Sequence, residues 1–211
     1  MSIMASMMTQ FRKPSGWLGR LAGVGMNVVH ARLWRWGLTH VAVEPDATVL
    51  DVGCGGGRSV QDLARAAPRG KAYGLDYSEE MVRMARRVNR VLIREGRADI
   101  QHGTVSALPF PDAAFDLVTA FETHYFWPDL PGNLREICRV LKPAGTLPIT
   151  NEGPEDEQFA KRNRHWVQWS GIEQLHTPEM HRAFLTEAGY VKVKIGTIPD
   201  KNWITAVARK P

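Results

Sequence analysis

The sequence predicts an α/β fold, a doubly wound and mostly parallel sheet with helices on both faces, and two stretches support that prediction. In the first, the apolar run Val49-Leu50-Asp51-Val52 meets the cluster Gly53-Cys54-Gly55-Gly56-Gly57. Val60, Leu63, Ala64 and Ala67 then recur at the i, i+3, i+4, i+7 spacing of an amphipathic helix. This is a strand, a tight turn and a helix. In the second, Lys71 to Leu75 reads as another strand ending in Asp76, and Met81, Val82, Ala85, Val88 and Leu92 trace the buried stripe of a further helix. Strands alternating with helices build parallel sheets.

Composition bounds the function. At 211 residues the chain suits one domain, since a chain of this size buries roughly 70% of its unfolded surface. The two cysteines, Cys54 and Cys138, offer no disulfide framework and no metal-ligand spacing, as expected for a reducing compartment. No basic region followed by an apolar run opens the chain, and no stretch of about 18 apolar residues occurs, so the expected location is cytoplasmic, without a membrane span. The formal charge of +5 comes from basic residues scattered over the polar faces of predicted helices. No nucleic-acid module accompanies it, which argues against a nucleic-acid substrate.

The elements follow in order. Residues 1–14 close at Pro14, and Ser15 to His40 reads as two helices separated near Gly23 and Gly25, the second running from Met26 to Leu38 with Val29, Leu33 and Trp36 on one face. This preface is either packing or a lid over a pocket, with His30 and Trp34 as candidates for its inner face. After the glycine turn and its helix, Pro68-Arg69-Gly70 breaks the chain before the strand that ends in Asp76. Ser78 is a good N-cap for a helix from Glu79 to about Glu95, stopped by Gly96. Asp99 to Thr104 reads as a third strand, and a fourth delivers Phe121-Glu122-Thr123-His124-Tyr125-Phe126-Trp127 to the sheet edge. Pro148 falls inside the fifth strand, where its missing N–H predicts a bulge or a short strand. Thr177-Pro178 caps another helix, which ends at Gly189, and strands over Tyr190–Ile198 and Asn202–Lys210 close the chain.

The glycine turn admits a ligand against bare backbone, close to unpaired N–H groups that open the helix. A dinucleotide fingerprint would need G-x-G-x-x-G, and counting from Gly53 puts Arg58 in place of the last glycine. The pattern is D-x-G-x-G-x-G, beginning at Asp51. It resembles motif I of the class I S-adenosyl-L-methionine-dependent methyltransferases. An acid beside the turn complements a sulfonium and an ammonium, where a pyrophosphate would be repelled. The segments Leu108-Pro109-Phe110-Pro111-Asp112 with Phe115-Asp116-Leu117-Val118, and Arg135-Glu136-Ile137 through Arg139-Val140-Leu141-Lys142-Pro143, are similar to later passages of the small-molecule members of that family. Ala144 stands where a glycine is usual.

The resemblance covers roughly residues 48–147 and implies a Rossmann-like sheet of seven strands in the order 3-2-1-4-5-7-6, one of them antiparallel. It implies a single domain, with residues 1–45 as a helical preface or lid and 46–211 as the core, interrupted by a helical insertion at about 154–172. S-adenosyl-L-methionine is the implied cofactor, held by Asp51, Gly53, Cys54, Gly55, Gly57, Tyr77 and Phe121. Asp76, 19 residues past Gly57, is placed to accept hydrogen bonds from ribose hydroxyls. Thr104 and Val105 stand at the adenine position, where the family often has Asp followed by Ala. The acceptor is a small molecule, and its transfer by direct displacement needs alignment and exclusion of water rather than a covalent nucleophile. Glu122 and His124 are the candidate bases for an acceptor that arrives protonated. Glu122 could instead bind the cofactor's amino group, and His124 could be a structural histidine. An NAD(P)-dependent oxidoreductase of the same broad fold, and a cofactor-binding module without turnover, are the alternatives.

Overall fold

The computed structural model describes residues 30–154, 157–170, 172 and 174–211. The first expected helix of the preface and the start of the second lie outside them. What is described of the second is α1 (Ala31–Leu38).

Seven strands form one sheet: β1 (Thr48–Val52), β2 (Lys71–Asp76), β3 (Ala98–His102), β4 (Phe115–Phe121), β5 (Leu141–Glu152), β6 (Val191–Ile198) and β7 (Trp203–Arg209). Their order is β3-β2-β1-β4-β5-β7-β6. The first five pair in parallel, and β7 lies antiparallel to both β5 and β6. The strand order reverses between β1, which pairs with β2, and β4, so the carboxyl ends of these strands frame the crevice where such sheets bind ligands.

Burial on both faces explains the near-continuous apolar strands. Along β1, Val49 enters the core made with α2 (Arg58–Ala66) and α3 (Glu79–Val88), while Leu50 and Val52 enter the opposite core with α5 (Leu130–Val140) and α7 (Pro178–Glu187). Leu63, Leu134, Ile137 and Leu185 are fully buried, each contributing about 1.5–3 kcal/mol relative to exposure. Helix α1 packs on α2, β5 and β7. Gly37 lets it approach closely, since a Cβ there would overlap the Thr150 side chain.

Two local expectations are corrected. The helix predicted to run to Glu95 stops at Val88, and a separate short helix, α4 (Arg90–Arg94), follows. Asn89 divides them: its buried amide donates to the Ala85 carbonyl at 2.9 Å and to the Gly57 carbonyl at 2.8 Å, tying this helix to the glycine turn. The fifth strand is not short. It runs for 12 residues with Pro148 opposite Val207, and its register shift lies earlier, next to Ala144, whose φ is 61°. Between β5 and α7, the stretch predicted as an insertion contains α6 (Ala160–Ser170). Among the described residues no helix is long and apolar enough to cross a membrane.

Candidate active site

A cavity of about 360 Å³ opens at the carboxyl ends of β1, β2 and β4. Its floor is the glycine turn. Gly53 has φ 77°, and a Cβ there would run into the Thr123 side chain, so glycine is required both by conformation and by the close approach of the loop after β4. A Cβ at Gly55 would meet nothing within 4 Å. Gly55 lines the cavity and presents bare backbone to it.

Four N–H groups of the turn itself are engaged, whereas those that open α2, the ones expected to be unpaired, have no capping side chain at Gly57. Those of Gly53 and Cys54 both donate to the Leu75 carbonyl, at 2.8 and 3.0 Å, and that of Gly57 to the Cys54 carbonyl at 2.9 Å. The Gly55 N–H donates to Asp76 Oδ2 at 2.8 Å. A pyrophosphate would therefore find these donors already engaged and a carboxylate among them, whereas a cationic nucleoside does not need them. The carboxylate beside the turn, together with the missing glycine, is what argues against the dinucleotide alternative.

Three carboxylates stand on the cavity wall, Asp51, Asp76 and Glu122, and no described lysine or arginine does. Asp76 is buried and its other oxygen accepts the Ser78 N–H at 2.8 Å, which leaves one acceptor direction on each oxygen for a ribose. Burial pushes its carboxyl up, while the Ser78 and Gly55 N–H groups and His102 hold it down. Asp51 accepts from the hydroxyls of Ser59 and of Thr119, the latter at 2.6 Å. Burial pushes Asp51 up to about 7, against those two donors and with Asp76 adding to the rise.

Glu122 follows β4 with a left-handed backbone, φ 56°. Its Oε2 accepts the Tyr125 hydroxyl at 2.6 Å and its Oε1 the Glu152 N–H. Burial raises its carboxyl, and the nearby His30, Tyr125 and the Glu152 N–H oppose that rise. His30, Leu33 and Trp34 also line the cavity, as do Phe126, Trp127 and Pro128. Trp34 is fixed by its ring N–H, which donates to Asp62 at 3.0 Å.

Of the residues expected at the cofactor, Asp51, Gly53, Cys54, Gly55, Asp76, Tyr77, Thr104, Val105 and Phe121 all line this cavity, and Gly57 does not. Gly57 is the N-cap of α2, and a Cβ on it would come within 2.7 Å of Ala85 and Asn89, so its role is packing. Glu122 is on the wall. His124, the other candidate base, is not: it is 1% exposed and turned into a cluster with His176 and His181, behind the loop that carries Phe126 and Trp127. Its Nε2 meets His176 Nδ1 at 3.1 Å. Burial and the two neighbouring imidazoles hold it well below the usual histidine range. An imidazole buried away from the cavity is not within reach of a proton on a bound acceptor. Sequence reasoning passed over Ser59 and Thr119, which hold Asp51, and Asn89, which holds the turn; an asparagine inside a helical stripe was the one local signal. No described group of three or more His, Cys, Asp or Glu residues has the arrangement of a metal site.

Comparison with known proteins bears on the fold and the family. A family model described as a methyltransferase domain matches residues 49–145. A demethylmenaquinone methyltransferase of Symbiobacterium thermophilum is 38% identical over 123 residues, 56% of this chain and 49% of that protein. One of Listeria welshimeri is 34% identical over 141 residues, 65% of this chain and 58% of that protein. The chain thus spans about half the length of these relatives. Among solved structures, a chain of the complex between the Haloferax volcanii Trm112 methyltransferase activator and a methyltransferase superposes with a TM-score of 0.78 at 23% identity, covering 92% of this chain and 96% of that one. Geranyl diphosphate C-methyltransferase of Streptomyces coelicolor, in complex with Mg2+, geranyl diphosphate and S-adenosyl-L-homocysteine, superposes with a TM-score of 0.72 at 16% identity, covering 84% and 78%. At these identities the two structures speak for the fold.

Proposed function

We propose that this chain, which carries a class I S-adenosylmethionine-dependent methyltransferase domain, moves a methyl group from that cofactor to a small apolar acceptor. The observation that carries the reading is a cavity at the β1/β4 switch point with three carboxylates and no described lysine or arginine on its wall, suited to a positively charged nucleoside. S-adenosylmethionine supplies an activated methyl group on a positive sulfur.

The chain's residues bind, orient and exclude water. Asp76 takes the ribose hydroxyls, Thr104 and Val105 the base, and the Gly53–Gly55 backbone with Asp51 the amino-acid end. Trp34, Phe126 and Trp127 flatten an apolar acceptor and keep water out, which favours a displacement at a charged centre. Glu122 takes the acceptor's proton where the acceptor arrives protonated; His124 keeps the wall in place. Of the preface, His30, Leu33 and Trp34 reach this cavity and act as part of its cover. The relatives named demethylmenaquinone methyltransferase put reduced demethylmenaquinone first among acceptors to try.

The test is label transfer. The protein is incubated with methyl-labelled S-adenosylmethionine and reduced demethylmenaquinone, simple quinols, phenols and apolar amines. The reading expects label in the organic extract together with S-adenosylhomocysteine. Tight cofactor binding with no product across that panel would favour a binding module without turnover.

A further inference from the structure

We infer that Glu122, held by Tyr125 and by the Glu152 N–H, is the group that tells charged S-adenosylmethionine from uncharged S-adenosylhomocysteine at the methyl end of the cavity. The inference rests on the cofactor reading above and names the residue on which discrimination at that site depends.

The first support is conformational. Glu122 has φ 56° and lies between β4 and the 3-10 turn His124–Phe126. A residue other than glycine keeps that backbone only where its surroundings over-determine it, and such positions gather at binding sites. Here the Glu122 N–H is tied to the Thr150 carbonyl at 3.0 Å, and both side-chain oxygens are engaged.

The second is the hydrogen-bond inventory. A carboxylate has about four acceptor directions. Tyr125 and Glu152 take one on each oxygen, from the protein side, and the remainder are left for the cavity. Tyr125 is a phenol held in its protonated form by burial and by Glu122 itself, so it can only donate to this carboxylate. The other titratable groups facing Glu122 are His30, ahead of α1, and Glu152 on β5. Trp203 holds Glu152 back through an indole N–H bond of 3.1 Å.

The third is placement along the sheet. The base position lies just beyond β3 and the ribose position at the tip of β2, while Glu122 follows β4, two strands further on. At roughly 4.8 Å per strand, that is about 10 Å from the ribose side, away from the base. A cofactor laid along the strand tips would therefore have its sulfur towards β1 and β4. The cavity wall also carries Trp34, Phe126 and Trp127, aromatic side chains of the kind that attracts a cation. When the methyl group leaves, the sulfur loses its charge and Glu122 loses its partner, so the spent cofactor is held less tightly than the fresh one. The same carboxylate disfavours acceptors that carry a negative charge.

Calorimetry with three probes tests this: S-adenosylmethionine, S-adenosylhomocysteine, and sinefungin, which carries an ammonium where the sulfonium stands. The wild-type chain should bind both cations at least about ten-fold more tightly than S-adenosylhomocysteine. Glu122→Gln, close in shape, should weaken both cations by about ten-fold while leaving S-adenosylhomocysteine within about two-fold. Tyr125→Phe should narrow the cation preference by less. Equal weakening of all three probes would place Glu122 on the part they share and overturn the inference, as would unchanged affinities. Should Glu122→Gln fail to fold, an unchanged preference in Tyr125→Phe overturns it. Wild-type protein that binds none of the three would instead sink the cofactor reading.

Discussion

The carboxylate of Asp76 accepts the Gly55 N–H at 2.8 Å, so the tip of the second strand and the turn after the first are one unit. The group proposed to hold the ribose also shapes the floor of the cavity. Asp76→Ala should therefore lose two things: charge-assisted bonds to the ribose of roughly 1.5–3 kcal/mol each, partly replaced by water, and the acceptor for the Gly55 and Ser78 N–H groups. We expect S-adenosylhomocysteine affinity to fall by about 10- to 100-fold and the melting temperature to drop with it. Asp76→Asn, which keeps one acceptor oxygen, should melt closer to wild type. Unchanged affinity in either folded variant would move the ribose contact elsewhere.

Gly55 and Gly57 separate binding from packing. Both have left-handed backbones, φ 81° at Gly57 and 49° at Gly55, but only at Gly57 would a Cβ press on Ala85 and Asn89; at Gly55 it would point into open space. Gly57→Ala should destabilise the fold by about 1–3 kcal/mol, as overpacking does. Gly55→Ala should cost less stability and more cofactor affinity. Thermal melts beside calorimetry distinguish the two, and the reverse ranking would contradict the assignment.

Ala144 occupies a left-handed backbone position, φ 61°, at the start of β5. Such a position costs a side-chain residue about 1–2 kcal/mol, while glycine gives back about 0.4–1 kcal/mol through its freer unfolded chain. Ala144→Gly should thus stabilise the protein by about 0.5–1 kcal/mol in denaturant unfolding. A loss of stability would mean the backbone there is not strained.

Short-range chemistry was legible in the sequence, and contacts across the chain were not. The strand, turn and helix at 49–67, the acid at Asp76 and the caps at Ser78 and Thr177 are written in neighbouring residues, and the fold places them as expected: Thr177 accepts the Met180 N–H at 3.2 Å. What the glycine turn does with its own N–H groups depends on Leu75 and Asp76 from the next strand, which the turn's own residues do not announce. His124 looked like a base because it follows β4 beside Glu122. It is turned away by His176 and His181, which arrive 52 and 57 residues later. Asn89 broke a helix whose apolar stripe ran straight through it, because its amide serves Gly57, 32 residues upstream.

The imidazole cluster gives the protein an acid limb. His181 is fully buried, with one ring nitrogen on the Thr177 carbonyl at 2.8 Å and the other facing the Asn151 amide at 3.3 Å. Burial brings it down to about 4 against an ordinary value of 6.5, with the Thr177 carbonyl opposing and His176 assisting. Between those values the unfolded chain binds the proton and the folded one does not. Stability is then complete above pH 6.5 and falls as the pH drops towards 4, by up to about 1.4 kcal/mol per pH unit from this group. Asp51, raised in the fold, works in the opposite direction over an overlapping range. The comparison is therefore wild type against His181→Asn, in which Asp51 is unchanged. The variant should be less stable at pH 7 and lose less on acidification; parallel curves would contradict the assignment.

The central claim is that this cavity holds an adenosyl sulfonium compound and not a dinucleotide. Titration calorimetry of the purified chain with S-adenosylmethionine, S-adenosylhomocysteine and NADH tests it directly. The engaged N–H groups of the turn and the three carboxylates on the wall predict saturable binding of both adenosyl compounds and no heat from NADH. Saturable NADH binding, with neither adenosyl compound detected, would contradict the account.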